Sequence, residues 1–195
     1  MLTKYWARGA GILCLSLFLA GCGVNTIPTQ QEQAKAAWAE VQNQYQRRAD
    51  LIPNLVNTVK GYAQQEQKVL IDVTEARAKA TSVQVNANDL TNPEALQRFQ
   101  NAQAQLSGAL GRLLAVSENY PDLKSNQNFL ALQSQLEGTE NRIAVARRDY
   151  IAAVQTYNTE VETYPGRFWA SFYNAKPMAT FTTGEENQRA PAVQF

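Results

Sequence analysis

Histidine does not occur among the 195 residues. Its absence removes the usual proton shuttle near neutral pH and the commonest metal ligand, and with them many enzyme mechanisms. Neither charge sign is in excess, with 18 Lys and Arg against 17 Asp and Glu. No basic surplus is left to neutralise a phosphate backbone, so nucleic acid is set aside as a partner. Cysteine is limited to Cys14 and Cys22, and there are only ten Gly and seven Pro to interrupt regular structure. The longest apolar run, Gly9 to Ala20, is about a dozen residues, short of the roughly 20 that a helix needs to cross a hydrocarbon core.

What remains is a chain rich in Ala, Gln, Leu, Asn and Glu. Ala, Leu, Gln and Glu lose little rotamer freedom in a helix, so an all-α fold is expected. The length suits one domain with a real core.

The amino terminus has the layout of an export signal: Lys4 and Arg8, then the apolar run, then Leu19-Ala20-Gly21-Cys22. The tetrad resembles a bacterial lipobox, with cleavage between Gly21 and Cys22 and acylation of the Cys22 thiol. Residues 1–21 are then a signal peptide, and Cys14 leaves with it. The remaining thiol is alkylated, so no disulfide forms within the chain. Two or more acyl chains, each buried methylene contributing about 0.8 kcal/mol, hold where one exchanges. Cleavage leaves 16 basic against 17 acidic side chains, so no partner is selected by net charge. Residues 22–30, with Pro28 and no periodicity, are expected to be a tether. Gly23 follows the cysteine where no aspartate stands, which favours the periplasmic face of the outer membrane if the organism has two membranes.

From Trp38 an apolar seam repeats at steps of three and four: Trp38, Val41, Tyr45, Arg48, Ile52, Leu55, Val59, Tyr62, Glu66, Val69, Val73, Ala76, Ala80. It predicts one long helix from Gln31 to Lys79. Pro53 lies inside it and costs roughly 3 kcal/mol in a regular helix. Either the helix kinks at Ala49 to Ile52, or it stops and restarts with Asp50 as N-cap; the continuous register favours the kink. Arg48 and Glu66 are the charged intrusions in the seam. They lie about 27 Å apart at 1.5 Å per residue, so each needs a partner from another helix. Glu140, Glu137 or Asp122 could serve Arg48, and Arg142, Arg147 or Arg112 could serve Glu66. Such pairs tend to fix register rather than add stability.

After a polar loop, Thr91-Asn92-Pro93-Glu94 signals a second helix with seam Leu96, Phe99, Gln103, Leu106, Leu110, Leu113, Ser117, Tyr120, ended by Pro121. Ser125 and Asn128 mark the start of a third, with seam Phe129, Leu132, Leu136, Thr139, Ile143, Ala146, Tyr150, Ala153, Tyr157, Val161, Tyr164, stopping at Pro165-Gly166. The expected architecture is an antiparallel bundle of three long helices over residues 31–181, with a short helical segment at its end. In that segment Phe168, Trp169, Phe172 and Tyr173 are either core or an exposed patch for a partner or a lipid surface. Residues 182–195, polar and without pattern, are expected to be disordered.

Arg47-Arg48-Ala49-Asp50-Leu51-Ile52-Pro53-Asn54-Leu55-Val56, Val59-Lys60-Gly61-Tyr62-Ala63 and Glu66, with Glu118-Asn119-Tyr120-Pro121-Asp122-Leu123-Lys124, Leu132-Gln133 and Thr139-Glu140, closely resemble the LemA family. The similarity covers about Gln31 to Phe181. It implies a membrane-attached antiparallel bundle outside the cytoplasmic membrane, with no established catalysis; some relatives are tied to membrane remodelling or compartment assembly. Two departures stand out: Gln65 replaces a frequent histidine, and Tyr150-Ile151 replaces a Tyr-Asn pair. The family usually keeps its hydrophobic amino-terminal segment as anchor, whereas here a lipid on Cys22 is expected to replace it.

An enzyme would have to use Arg48, Asp50, Asn54, Glu66, Asp122, Glu137 or Glu140. No Ser or Cys has a base beside it, and no Gly-rich loop precedes a helix for phosphate. The sequence therefore points to a lipid-anchored, non-catalytic scaffold or interaction module of the bacterial envelope, without metal or cofactor. Its expected contacts are membrane lipid and an envelope protein, with self-association as a homo-oligomer left open. The alternatives are an enzyme accessory or weak hydrolase with a carboxylate site, and an adaptor to a transporter or envelope peptidase.

Overall fold

The computed structural model describes residues 23–181. The expected signal peptide, the acylation site at Gly21-Cys22 and the expected tail of 182–195 lie outside the described residues. Among those described, all regular structure is helical. The elements are α1 (Thr26–Tyr62), α2 (Gln67–Ser82), a 3-10 turn (Ala87–Thr91), α3 (Pro93–Ser117), the one-turn α4 (Pro121–Lys124), α5 (Gln127–Glu162) and α6 (Gly166–Tyr173).

The single helix expected from Gln31 to Lys79 is two. It ends at Tyr62, turns over residues 63–66 and comes back as α2. The reason lies in matched lengths: α1 has 37 residues and its partner α5 has 36, so a continuation would run past the end of α5 with nothing to pack against. Turning back buries Leu70 and Val73 instead. A linker of four residues is close to one helical turn, so the spacing of the seam passes across the break almost unchanged. Tyr62 is exposed as a result, and Leu70 takes the buried place expected for Val69.

The helix also starts earlier than expected. Residues 26–30 are its first turn rather than part of a tether, with Ile27 buried. Pro28 is tolerated there because the first amides of a helix have no intrahelical acceptor.

Cross-links fix the directions. Trp38 meets Tyr150, Arg48 meets Glu140, and Tyr62 meets Asn126 just ahead of α5, so α1 and α5 are antiparallel throughout. Arg77 on α2 reaches Ala49 on α1, and Gln103 on α3 reaches Ala80 on α2. Over the half of the molecule nearer residue 63, the helices α1, α2, α3 and α5 thus alternate in direction as an up-down four-helix bundle. Their buried side chains include Ile52, Leu55, Val59, Leu106, Leu113 and Phe129.

The other half is built differently. There Trp38, Tyr45, Phe99, Tyr150 and Phe181 form an aromatic core. Residues 174–181 run along α5 as an extended strap. Tyr150 and Tyr157 hydroxyls donate to the Ala179 and Lys176 carbonyls, and Asn158 exchanges two hydrogen bonds of 2.8 Å with the Met178 backbone. The Ala179 amide closes the strap on Leu90 O at 2.7 Å.

Capping explains the starts. Asn92, not Thr91, caps α3 by accepting from the Glu94 and Ala95 amides, with Pro93 in the first position. Asn126, not Ser125, caps α5 through the Asn128 and Phe129 amides. Gly166 opens α6 because a Cβ there would lie 2.2 Å from Glu160 O. Asn174 closes α6 with φ 51°, a left-handed conformation that asparagine tolerates better than most residues.

Pro53 does not interrupt α1. Its missing N–H orphans the carbonyl four residues back, that of Ala49, and the Arg77 Nε–H from α2 donates to that oxygen at 2.7 Å. The proline defect therefore becomes an attachment point between helices. Arg77→Ala is expected to cost about 1–3 kcal/mol by leaving a buried acceptor unmet. In a Pro53→Ala background, where position 53 regains an amide N–H for that carbonyl, the same change should cost clearly less. Urea unfolding of the four proteins checks this double-mutant cycle; equal costs in both backgrounds would rule the compensation out.

Candidate functional site

Two places carry more chemistry than packing requires. The first is the inside of the four-helix half around Arg48, which is 1% exposed. Its Nη1 donates to Glu140 Oε1 at 2.7 Å on α5 and to Ser107 Oγ at 2.8 Å on α3; its Nη2 donates to Gln103 Oε1 at 2.6 Å. Gln103 in turn donates through Nε2 to Ala80 O on α2 at 3.2 Å. One guanidinium thus ties α1 to α3 and α5 directly and to α2 through one amide. The Tyr45 ring lies 5.0 Å from Cζ, in cation–π contact. Of the three guanidinium nitrogens, only Nε lacks a partner.

The burial of Tyr45 raises its hydroxyl pKa, against the lowering influence of the Arg147 and Arg48 charges. Arg147 itself stacks 4.4 Å from the Phe181 ring. Burial also raises the Tyr150 and Tyr157 hydroxyls, so both stay protonated as donors to the strap. Tyr45 and Gln103 line an open groove together with Gln42, Gln46, Thr81 and Gln84, and a second open groove between α1 and α5 is lined by Glu40, Gln44, Arg142 and Asp149.

Glu66 does not share the core with Arg48. It is the half-buried residue just ahead of α2, and its Oε1 accepts from the Tyr120 hydroxyl at 3.2 Å rather than from an arginine. The Tyr120 pKa is raised by desolvation and by this neighbouring carboxylate. The register expected for Glu66 presupposes an unbroken helix, and the turn at 63–66 removes it from the seam. Tyr164, placed at the end of the third seam, is 79% exposed. Among the described residues, no three of His, Cys, Asp and Glu group closely enough to hold a metal ion.

The second place is the end of the molecule where α6 lies. Gly166 and Ala170 are its buried residues, while Phe168 is 65% and Phe172 75% exposed, with Tyr173 also exposed and Trp169 half-buried. The rings touch in sequence: Phe168 to Trp169 at 5.2 Å, Trp169 to Phe172 at 6.4 Å, and Phe172 to Tyr173 at 5.4 Å. Gly23 packs beside them; a Cβ there would stand 3.2 Å from Trp169 Nε1. Of the five aromatic residues between 168 and 181, only Phe181 is fully in the core.

The family model for the LemA family matches residues 37–195. The chain belongs to the LemA family. Its relatives include two magnetosome proteins, MamQ 1 and MamQ 2, of Paramagnetospirillum magneticum, each 28% identical over 162 residues and covering 75% of this chain and 60% of the relative. Protein LemA of Metamycoplasma hominis is 24% identical over 140 residues, 72% of this chain and 60% of the relative. The chain thus spans about three-fifths of the length of these LemA-family relatives. The matched span contains the Arg48 network, the Pro53–Arg77 contact and α6 alike.

Proposed function

We propose that this LemA-family protein is a lipid-anchored, non-catalytic helical scaffold of the bacterial cell envelope, held to the membrane through an acylated Cys22. The observation that carries this reading is the position of the Leu19-Ala20-Gly21-Cys22 tetrad, directly ahead of the point where the folded body begins. Gly23 already packs on Trp169, and α1 starts at Thr26. No helix among the described residues is long and apolar enough to cross a membrane. The side chains richest in polar contacts, those around Arg48, are engaged with one another across four helices, an arrangement suited to holding a shape. Relatives that carry the name magnetosome protein support a membrane-associated, non-enzymatic role. Gly23 after the cysteine supports the outer membrane as the site of the anchor in a two-membrane cell.

Labelling cells with radioactive palmitate tests the anchor. Label is expected in the wild type and not in Cys22→Ala, with the variant leaving the membrane fraction. Wild type that takes up no label would overturn the anchor. Crosslinking in intact cells, compared between the same two forms, tests the scaffold; capture confined to whatever proteins share the membrane patch would overturn a specific partner.

A further inference from the structure

The exposed rings of α6 have no role in the fold, and their location limits what covers them. On α6, Phe168, Phe172 and Tyr173 are exposed and joined ring to ring through Trp169, and Tyr164, ahead of the helix between α5 and α6, is exposed too. Most soluble surfaces scatter single large apolar side chains; a contiguous set of this kind marks an interaction surface. The opposite side of α6 is committed to the core through Ala170. Arg167 and Lys176 are exposed bases in the same stretch, and the acids near it are Glu162 and Glu160, whose carboxylate lies beside Gly166. Aromatic rings with basic neighbours suit the headgroup zone of a bilayer, where the ring bodies meet acyl chains and the cations meet phosphate.

We propose that Tyr164, Phe168, Phe172 and Tyr173 insert into the headgroup zone of the membrane, as a second, non-covalent contact beside the lipid on Cys22. The inference rests on the proposed anchor, because the position of Gly23 supplies the geometry. Residue 23 lies against Trp169, so a cysteine one residue earlier that is fixed in the bilayer brings this end of the molecule, and not the 63–66 turn, to the lipid. The acyl chains then set distance and the rings set orientation. With the patch inserted, α1 and α5 have a defined angle to the membrane instead of swinging about one residue.

The test uses the full acylated protein in vesicles of phosphatidylethanolamine and phosphatidylglycerol that carry doxyl-labelled phosphatidylcholine as quencher. The signal of Trp169 is taken as the difference between wild type and Trp169→Phe, while Trp38, buried in the core, is out of reach. Strong quenching of Trp169 is expected, and its loss in Phe168→Ser/Phe172→Ser, two exposed positions whose replacement leaves the helical circular dichroism unchanged. No quenching in wild type, or equal quenching in the serine variant, would overturn the insertion. Quenching that falls as the number of proteins per vesicle rises would give the face to a second copy of the chain, and would overturn it too. Mass measurement of the same sample separates the two claims. An acylated protein without quenching sinks the insertion and leaves the anchor; quenching without acylation sinks the anchor and leaves the insertion.

Discussion

Trp38→Ala is expected to cost about 3–5 kcal/mol of unfolding free energy, the largest loss from any single side chain in the amino-terminal half. The indole is fully buried and lies 5.2 to 5.9 Å from the Tyr150, Phe99 and Phe181 rings. Truncation therefore leaves a cavity between α1, α3, α5 and the strap at once. The indole N–H also donates to Val85 O at 2.8 Å, but Gln42 Nε2 shares that carbonyl at 3.1 Å. Trp38→Phe should consequently lose only about 1–2 kcal/mol, since ring burial persists and Val85 O keeps one donor. Urea unfolding followed by far-UV circular dichroism measures both. Phe181 loses a ring partner, so limited proteolysis of Trp38→Ala should cut the 174–181 strap first. A loss near that of the Phe variant would show that the site collapses around the cavity and that Trp38 is not its keystone.

The Arg48 network should respond with an unusual order of effects. Glu140→Ala leaves a buried guanidinium with neutral partners only. The expected loss is about 2–3 kcal/mol, less than for a fully enclosed pair because the Glu140 side chain is 47% exposed and water can replace it. Arg48→Met removes the charge, fills the volume and leaves Glu140 free to turn to solvent, but takes the donor from the buried Gln103 Oε1, so the loss should be about 1–2 kcal/mol, less than for Glu140→Ala. Arg48→Ala adds a cavity and should fall between the two or beyond Glu140→Ala. If Met proves as costly as Glu140→Ala, the network contributes net stability. The expectation is that it chiefly fixes how the four helices align, and that Arg48→Met changes oligomeric state or helix register, read by light scattering, more than it changes the melting temperature.

How far these features can be read from the residues depends on what each one needs. The all-helical class follows from composition and spacing, because burial at steps of three and four is a local property; from Trp38 to Val59 and from Leu96 to Ser117 the buried faces match the seams. The break at 63–66 is hidden because a linker of four residues keeps the phase of the repeat, and the decisive quantity, the length of α5, lies far along the chain. The same phase-keeping puts Glu66 on a core seam that the fold does not give it. Arg48 needs a carboxylate from another helix, and Glu140 is among the candidates, but Ser107 and Gln103 are ordinary neighbours along α3 whose role emerges only once that helix is in place. Pro53 announces that the Ala49 carbonyl will lack its donor; nothing local says that Arg77, 28 residues away, supplies it. For the rings of α6, one apolar helical face reads either as core or as surface, since sequence periodicity does not tell which side of a short helix has a neighbour.

The pairing of a 37-residue α1 with a 36-residue α5 also makes the molecule mechanically unequal along its length. The shaft is about 55 Å long at 1.5 Å per residue. It is stiffened by α2 and α3 near the 63–66 turn, and by the shorter α6 and its strap near residue 23. Were the chain held at Cys22 as proposed, a lateral load applied at the thick end would act as on a lever, with the bending moment greatest near residue 23, where Trp169, the strap and Asn158 would bear it. Resistance to force would then be concentrated far from the most polar interior of the protein.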